Sequence, residues 1–193
     1  MPFNIQDFRA RLTRDGARPN LFEVTMNFPA TVVTNAGAAS TKFTFMCRTA
    51  QLPGSSIGSV VVPYFGREVK MAGNRTFADW TVTIINDEDF LIRNAFERWL
   101  GGINGHALNR RNSVFSTPTS YTSDAVVSQY GKTGTKIKNY QFVGMFPIDV
   151  SPIDLDWGAN DTIEEYAVTF QYQYWLSDTT DVRSSAATTA SIF

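Results

Sequence analysis

Chemistry in this chain would have to come from a few short motifs, the first being Gly54-Ser55-Ser56-Ile57-Gly58. Its G-x-S-x-G spacing fits a nucleophile elbow, which needs a strand before the serine and a helix directly after it. Here Pro53 precedes the motif and Val60-Val61-Val62 continues as a strand, so small residues in a turn explain it. Gly131-Lys132-Thr133 supplies the end of a phosphate loop, but Val126 stands where the first glycine belongs. Asp154 and Asp156, with Glu165 at the twelfth place, suggest a calcium loop. Ala159 occupies the sixth place, which requires glycine, and Trp157 lies inside the loop, so a polar turn is expected. His106, the only histidine, has no second ligand of its kind, and the single Cys47 on an apolar stretch reads as a small buried hydrophobe. Asn74-Arg75-Thr76 and Asn160-Asp161-Thr162 are sequons, relevant only to a secreted chain, and Met1-Pro2-Phe3-Asn4 does not open a secretion signal. No catalytic constellation, cofactor site or metal site is expected.

Composition agrees with that reading. The 193 residues can bury roughly 70% of the surface an unfolded chain exposes, enough for a core without disulfides. No apolar run is long enough to cross a membrane as a helix. Fifteen phenylalanines favour strands and interfaces over helical bundles. Charge is unevenly placed: residues 42–138 hold twelve basic and seven acidic side chains, whereas 139–193 hold only Arg183 against eight acids. Such a chain can attract copies of itself head to tail, or neutralise itself internally.

Alternation then marks the elements. Phe22, Val24, Met26 and Phe28 alternate with Glu23, Thr25 and Asn27, a half-buried strand. Residues 29–41 read as a flexible hairpin loop, and Phe43–Cys47 as a strand. A strand at Val60–Val62 ends near Pro63, and a turn at Ala72–Arg75 precedes a strand over Phe77–Ile85. Asn86 or Asp87 is expected to cap a helix whose apolar stripe comprises Leu91, Ile92, Ala95, Phe96, Trp99, Leu100 and Ile103. Asp89–Arg93 and Arg93–Glu97 have ion-pair spacing along it, and Gly101-Gly102 is expected to end or fray it. After an exposed connection over 104–125, strands follow at Ala125–Tyr130 and Ile137–Phe146. A proline-marked turn covers Pro147–Asp161, and the last strand runs from Tyr166 to Trp175. About seven strands and one helix predict a mainly β fold, an antiparallel barrel or sandwich with a flanking helix. Residues 1–16 form an arm with a short helix, 17–178 a single domain, and 179–193 a mobile tail.

Several strings point to one family: Ala17-Arg18-Pro19-Asn20-Leu21-Phe22, the Cys47 strand ending at Leu52-Pro53, and Ala72-Gly73-Asn74-Arg75-Thr76-Phe77-Ala78-Asp79-Trp80-Thr81-Val82-Thr83. Asn86-Asp87-Glu88, Gly144-Met145-Phe146-Pro147, Leu155-Asp156-Trp157 and the stretch Val168–Trp175 complete the pattern. From Ala17 to Trp175 the chain resembles the tail tube proteins of contractile-tailed bacteriophages, which are related to type VI secretion and pyocin tubes. The resemblance implies a non-enzymatic virion subunit, made in the host cytoplasm, that forms six-membered rings. The rings stack into a hollow tube, and their inner sheets join around a channel through which DNA passes without specific binding. Tail sheath, baseplate, tail terminator and tape-measure proteins are the implied partners, with no membrane and no cofactor. Two alternatives stay open: a hydrolase using Ser56, and a tube subunit of a phage-derived secretion or bacteriocin particle.

Within that frame the segment 48–75 is expected to reach between rings, since Val60, Val61, Val62, Tyr64 and Phe65 are more apolar than an exposed loop should be. An ordinary core hairpin is the competing expectation. The acidic region 149–165, with Asp154, Asp156 and Asp161, is expected to meet basic residues of another subunit, drawn from Arg9, Arg11, Arg14, Arg67, Lys70 and Arg75. A wall that lets DNA slide should carry few basic groups, because each neutralised phosphate adds affinity. The lumen row is therefore expected among Glu23, Thr25, Asn27, Thr81, Thr83, Thr169 and Gln171.

Overall fold

Alternating apolar and polar residues build the framework of the chain, whose computed structural model describes residues 4–31 and 33–180. The strands are β1 (Phe22–Met26), β2 (Cys47–Ala50), β3 (Ser56–Tyr64), β4 (Arg67–Thr76) and β5 (Trp80–Ile85). They continue with β6 (Ser123–Tyr130), β7 (Lys136–Val150), β8 (Glu165–Gln171) and β9 (Tyr174–Ser177). The helices are α1 (Ile5–Arg11), α2 (Ala36–Met46), α3 (Leu91–Ile103) and the single turn α4 (Pro118–Tyr121). Seven strands form one antiparallel sheet in the order β1-β6-β7-β8-β5-β2, with β9 on β7, while β3 and β4 pair only with each other.

The long strand β7 makes this sheet a sandwich rather than a closed barrel. Its first part pairs with β6 and β9, and Phe146–Val150 pairs with β8. Gly144, at φ +66, lies where the partners change, and a Cβ there would come 2.9 Å from Gln173 Cγ. Trp80 of β5 stacks on Phe142 of β7 at 4.3 Å, joining the two layers. The β5–β8 register sets Trp80 against Phe170, Val82 against Val168 and Ile84 against Tyr166, all buried, with Thr81 and Thr83 facing away. The aromatic stripe of α3 closes the open side: Ile92, Ala95, Phe96 and Trp99 are buried, with Phe28 4.9 Å from Phe96 and Phe43 6.1 Å from it. Buried indoles keep their N–H groups satisfied, Trp99 donating to the Tyr121 carbonyl at 2.7 Å and Trp80 to that of Gln51 at 2.8 Å.

Several expectations are corrected. The supposed loop over 29–41 and strand at Phe43–Met46 are largely the helix α2, which buries Ala36, Ala39 and Phe43 at three- and four-residue spacing. Its many Ala, Gly, Ser and Thr residues hid it, and its first residue follows Asn35 in the left-handed region. No turn interrupts Ala72–Arg75, which belong to β4; β3 begins at Ser56, before Val60, and β5 only at Trp80. Neither Asn86 nor Asp87 caps α3. Phe90 occupies that position with a left-handed backbone, Asp89 accepts from the Leu91 N–H at 3.0 Å, and the Asn86 amide donates to Glu164. Asp89 pairs with Lys42 rather than Arg93, the Arg93–Glu97 pair forms at 3.0 Å, and α3 continues through Gly101 and Gly102 to Ile103. Pro147 lies inside β7, beside a register irregularity in its pairing with β8 and on the part that has a strand partner on one side only, both settings that accept proline. The final strand is two, β8 and β9, broken at Tyr172 and Gln173, and the tail beyond Thr180 lies outside the described residues.

Candidate functional site

The hairpin β3–β4 is the feature least explained by the monomer. Apart from the half-buried Gly73, every residue from Ser56 to Thr76 is exposed, and neither strand packs broadly on another element. An ordinary core hairpin is thereby excluded. Phe65 and Gly66, both at positive φ, form the two-residue turn that matches strand twist. Nine residues of β3 extend about 30 Å at strand rise. The root is fixed: Trp80 and Trp175 donate indole N–H bonds to the carbonyls of Gln51 and Gly54, and Arg75 donates to Ser55 at 3.0 Å.

Register sorts the hairpin into two faces. Val60 opposes Met71, Val62 opposes Val69, and Tyr64 opposes Arg67. These form one face, apolar except at Arg67, whose members are between 40% and 64% exposed for the five apolar residues. Val61 opposes Lys70 and Pro63 opposes Glu68 on the other, more polar face. The sequence expectation that grouped Val60, Val61 and Val62 is thus split, and Met71 and Val69, which it omitted, complete the apolar face. A lone two-stranded hairpin is marginal in water, and this one leaves its apolar face exposed in the monomer.

The expected lumen residues fall into two groups. Thr81, Thr83 and Thr169 lie together on the outward face of β5 and β8, with Thr81 and Thr169 hydroxyls 3.1 Å apart and Gln171 two residues further along β8. Glu23, Thr25 and Asn27 lie on or just after β1, at the far end of the strand order, where Tyr130 donates its hydroxyl to the Glu23 carboxylate. Beside the first group, β2 carries Arg48, paired with Glu165. β1 and β2 end the strand order, each with an edge that no described strand pairs.

Asp154, Asp156 and Asp161 lie on the exposed connection from β7 to β8. Asp156 accepts from the Gly158 N–H at 2.9 Å, shaping the turn on which Trp157 stands fully in solvent. Leu155 and Ile163 beside it are also exposed. Arg67 lies at the hairpin tip, Lys70 on its polar face and Arg75 at its root, so the structure does not gather them with the acidic loop. Sequence reasoning also missed Phe45, assigned there to a strand; its place outside the 36, 39, 43 helical period leaves it on the surface of α2.

The residues with chemical potential stay apart. Ser56 shares a hydrogen bond with Thr76 at 2.7 Å and is followed by strand, not helix, while His106 lines another cleft with Arg93, Glu97 and Asp149. Burial pushes the Cys47 thiol up to about 12, far from a reactive thiolate.

Comparison with known proteins places this architecture. Residues 17–178 match the family described as phage tail tube protein. The chain is 33% identical over 169 residues to tail tube protein gp19 of Enterobacteria phage T4, covering 86% of this chain and 95% of that one. It is 27% identical over 177 residues to the tail tube protein of Serratia phage KSP90, covering 90% and 97%. Among solved structures, a chain of the anti-feeding prophage baseplate, six-fold symmetrised, superposes with a TM-score of 0.59 at 14% identity over 84% of this chain and 95% of that one. A chain of the sheath-tube complex of an extracellular contractile injection system gives 0.56 at 14% over 90% and 97%. With its sandwich, flanking helix and uncovered hairpin, the chain belongs to the phage tail tube protein family.

Proposed function

We propose that six copies of this chain close into a ring, that rings stack into a hollow tube, and that DNA passes along its lumen. The observation that carries this reading is the β3–β4 hairpin, whose outer half, from Val60 to Tyr64, presents an apolar face about 13 Å long that the monomer leaves uncovered. Covering it with neighbouring subunits removes that surface from water, and lateral pairing at the β1 and β2 edges satisfies their open backbone groups. Repetition of one heterologous contact gives a ring if it closes. The outward faces of β5 and β8, carrying Thr81, Thr83, Thr169 and Gln171, form the channel wall, and the pairing of Arg48 with Glu165 limits its hold on phosphate. Sheath, baseplate, terminator and tape-measure proteins are the partners of this tube in a virion tail. The closest functional contrast is a tube that carries protein rather than DNA; gp19 at 33% identity favours the phage reading.

Electron microscopy of the purified protein tests the proposal. Hollow tubes of uniform width, formed after a lag or on a seed, are expected. A monomer that persists at high concentration even with baseplate seeds would overturn it.

A further inference from the structure

Two features at opposite ends of β7 have complementary chemistry. At its start, a cleft of about 790 Å³ lies between the segment after α1 and the β6–β7 turn. Thr13, Arg14, Ala17, Arg18, Lys132 and Ile137 line it, an apolar floor with three cations around it. At the other end of β7, the loop 151–164 carries Asp154, Asp156, Asp161 and Glu164 and no base. On its tip Trp157 is 101% exposed, and Leu155 beside it is 81% exposed. An indole wholly in water is the residue most in need of a partner, and tryptophan is enriched among the anchors that dominate interfaces.

We propose that Trp157 of one copy inserts into the cleft of a second copy, with Asp154 and Asp156 meeting Arg14 and Arg18. The occupant must come from another molecule. Cleft and loop lie at the two ends of the fifteen-residue β7, and Trp157, fully exposed, is not seated in the cleft of its own chain. A knob and a socket at opposite ends of one strand make a heterologous contact that repeats in one sense from copy to copy. The acidic flank supplies register and the indole supplies the apolar anchor. The inference rests on the tube reading only for where the contact recurs, and it is independent of the hairpin.

The test places a benzophenone amino acid at position 157 of the full chain and maps photo-crosslinks in the assembled protein by mass spectrometry. Crosslinks to residues 13–18 or 131–137 of a second copy are expected. Trp157→Ala should raise the concentration needed for assembly about 30-fold or more while leaving the thermal transition of the monomer unchanged. Arg14→Glu with Arg18→Glu should impair assembly, and Asp154→Arg with Asp156→Arg should restore it when combined in the same chain. Tubes that form normally from Trp157→Ala, with crosslinks elsewhere, would overturn this contact and leave the tube reading standing. A wild-type chain that never assembles would overturn both.

Discussion

The double substitution Val62→Thr with Val69→Thr isolates the apolar face of the hairpin. The two valines oppose each other across the register and are 40% and 45% exposed, so each still has much of its surface to bury. Threonine keeps the shape and strand preference but puts a hydroxyl where a methyl was, so loss of apolar contact and desolvation together cost about 1–2 kcal/mol per site once covered. For the pair the loss is about 3 kcal/mol per subunit, or roughly a 100-fold rise in the critical concentration for tube growth. Because the hairpin stands off the core, the monomer should change by no more than about 0.5 kcal/mol. Sedimentation of assembled from free protein across a dilution series reads the first quantity, and thermal melting of the dilute monomer reads the second. Critical concentration within twofold of wild type would refute the argument that this face is covered. Substantial loss of monomer stability would show that the face belongs to the fold instead.

Other expectations follow from the core, the ion pairs and the loop. Phe142→Ala removes the ring between Trp80 and Tyr172 and should cost the monomer about 3–5 kcal/mol, seen as a melting shift on the order of 10 °C. The hydrogen bonds from Lys42 hold Asp87 and Asp89 below the ordinary carboxylate value of 3.8, and those carboxylates hold Lys42 above 10.5. The tie between α2 and the start of α3 is therefore present from mildly acid to mildly alkaline pH. It is lost as pH falls through the lowered carboxylate values or rises through the raised lysine value, and Lys42→Met should flatten both limbs in a pH series of melting curves. The proposed contacts of the acidic loop predict that assembly weakens as salt rises to about 0.5 M, where the screening length is roughly 4 Å; unchanged assembly would rule those ion pairs out.

How far sequence could lead depended on what each segment packs against. Strands with one buried face, such as β1 and β8, announced themselves by alternation, and the stripe of α3 did so by its helical period. Segment α2 was missed because three small or aromatic residues bury it among polar neighbours, and β4 because Gly73 and Asn74 look like a turn when no cross-strand partner is visible. The hairpin was recognised as too apolar for a loop, but its division into two faces needed the register between Val62 and Val69. Trp157 reads as part of a turn from sequence alone, and only the structure shows its indole to be fully exposed.

A helical reconstruction of the assembled tube by cryo-electron microscopy would resolve the ring, the hairpin and the channel together. Six subunits per ring around an open channel are expected, with Val60, Val62, Tyr64, Val69 and Met71 buried against neighbouring subunits and Thr81, Thr83 and Thr169 on the wall. A map in which the hairpin face stays in solvent, or in which lysine and arginine line the lumen, would contradict this arrangement.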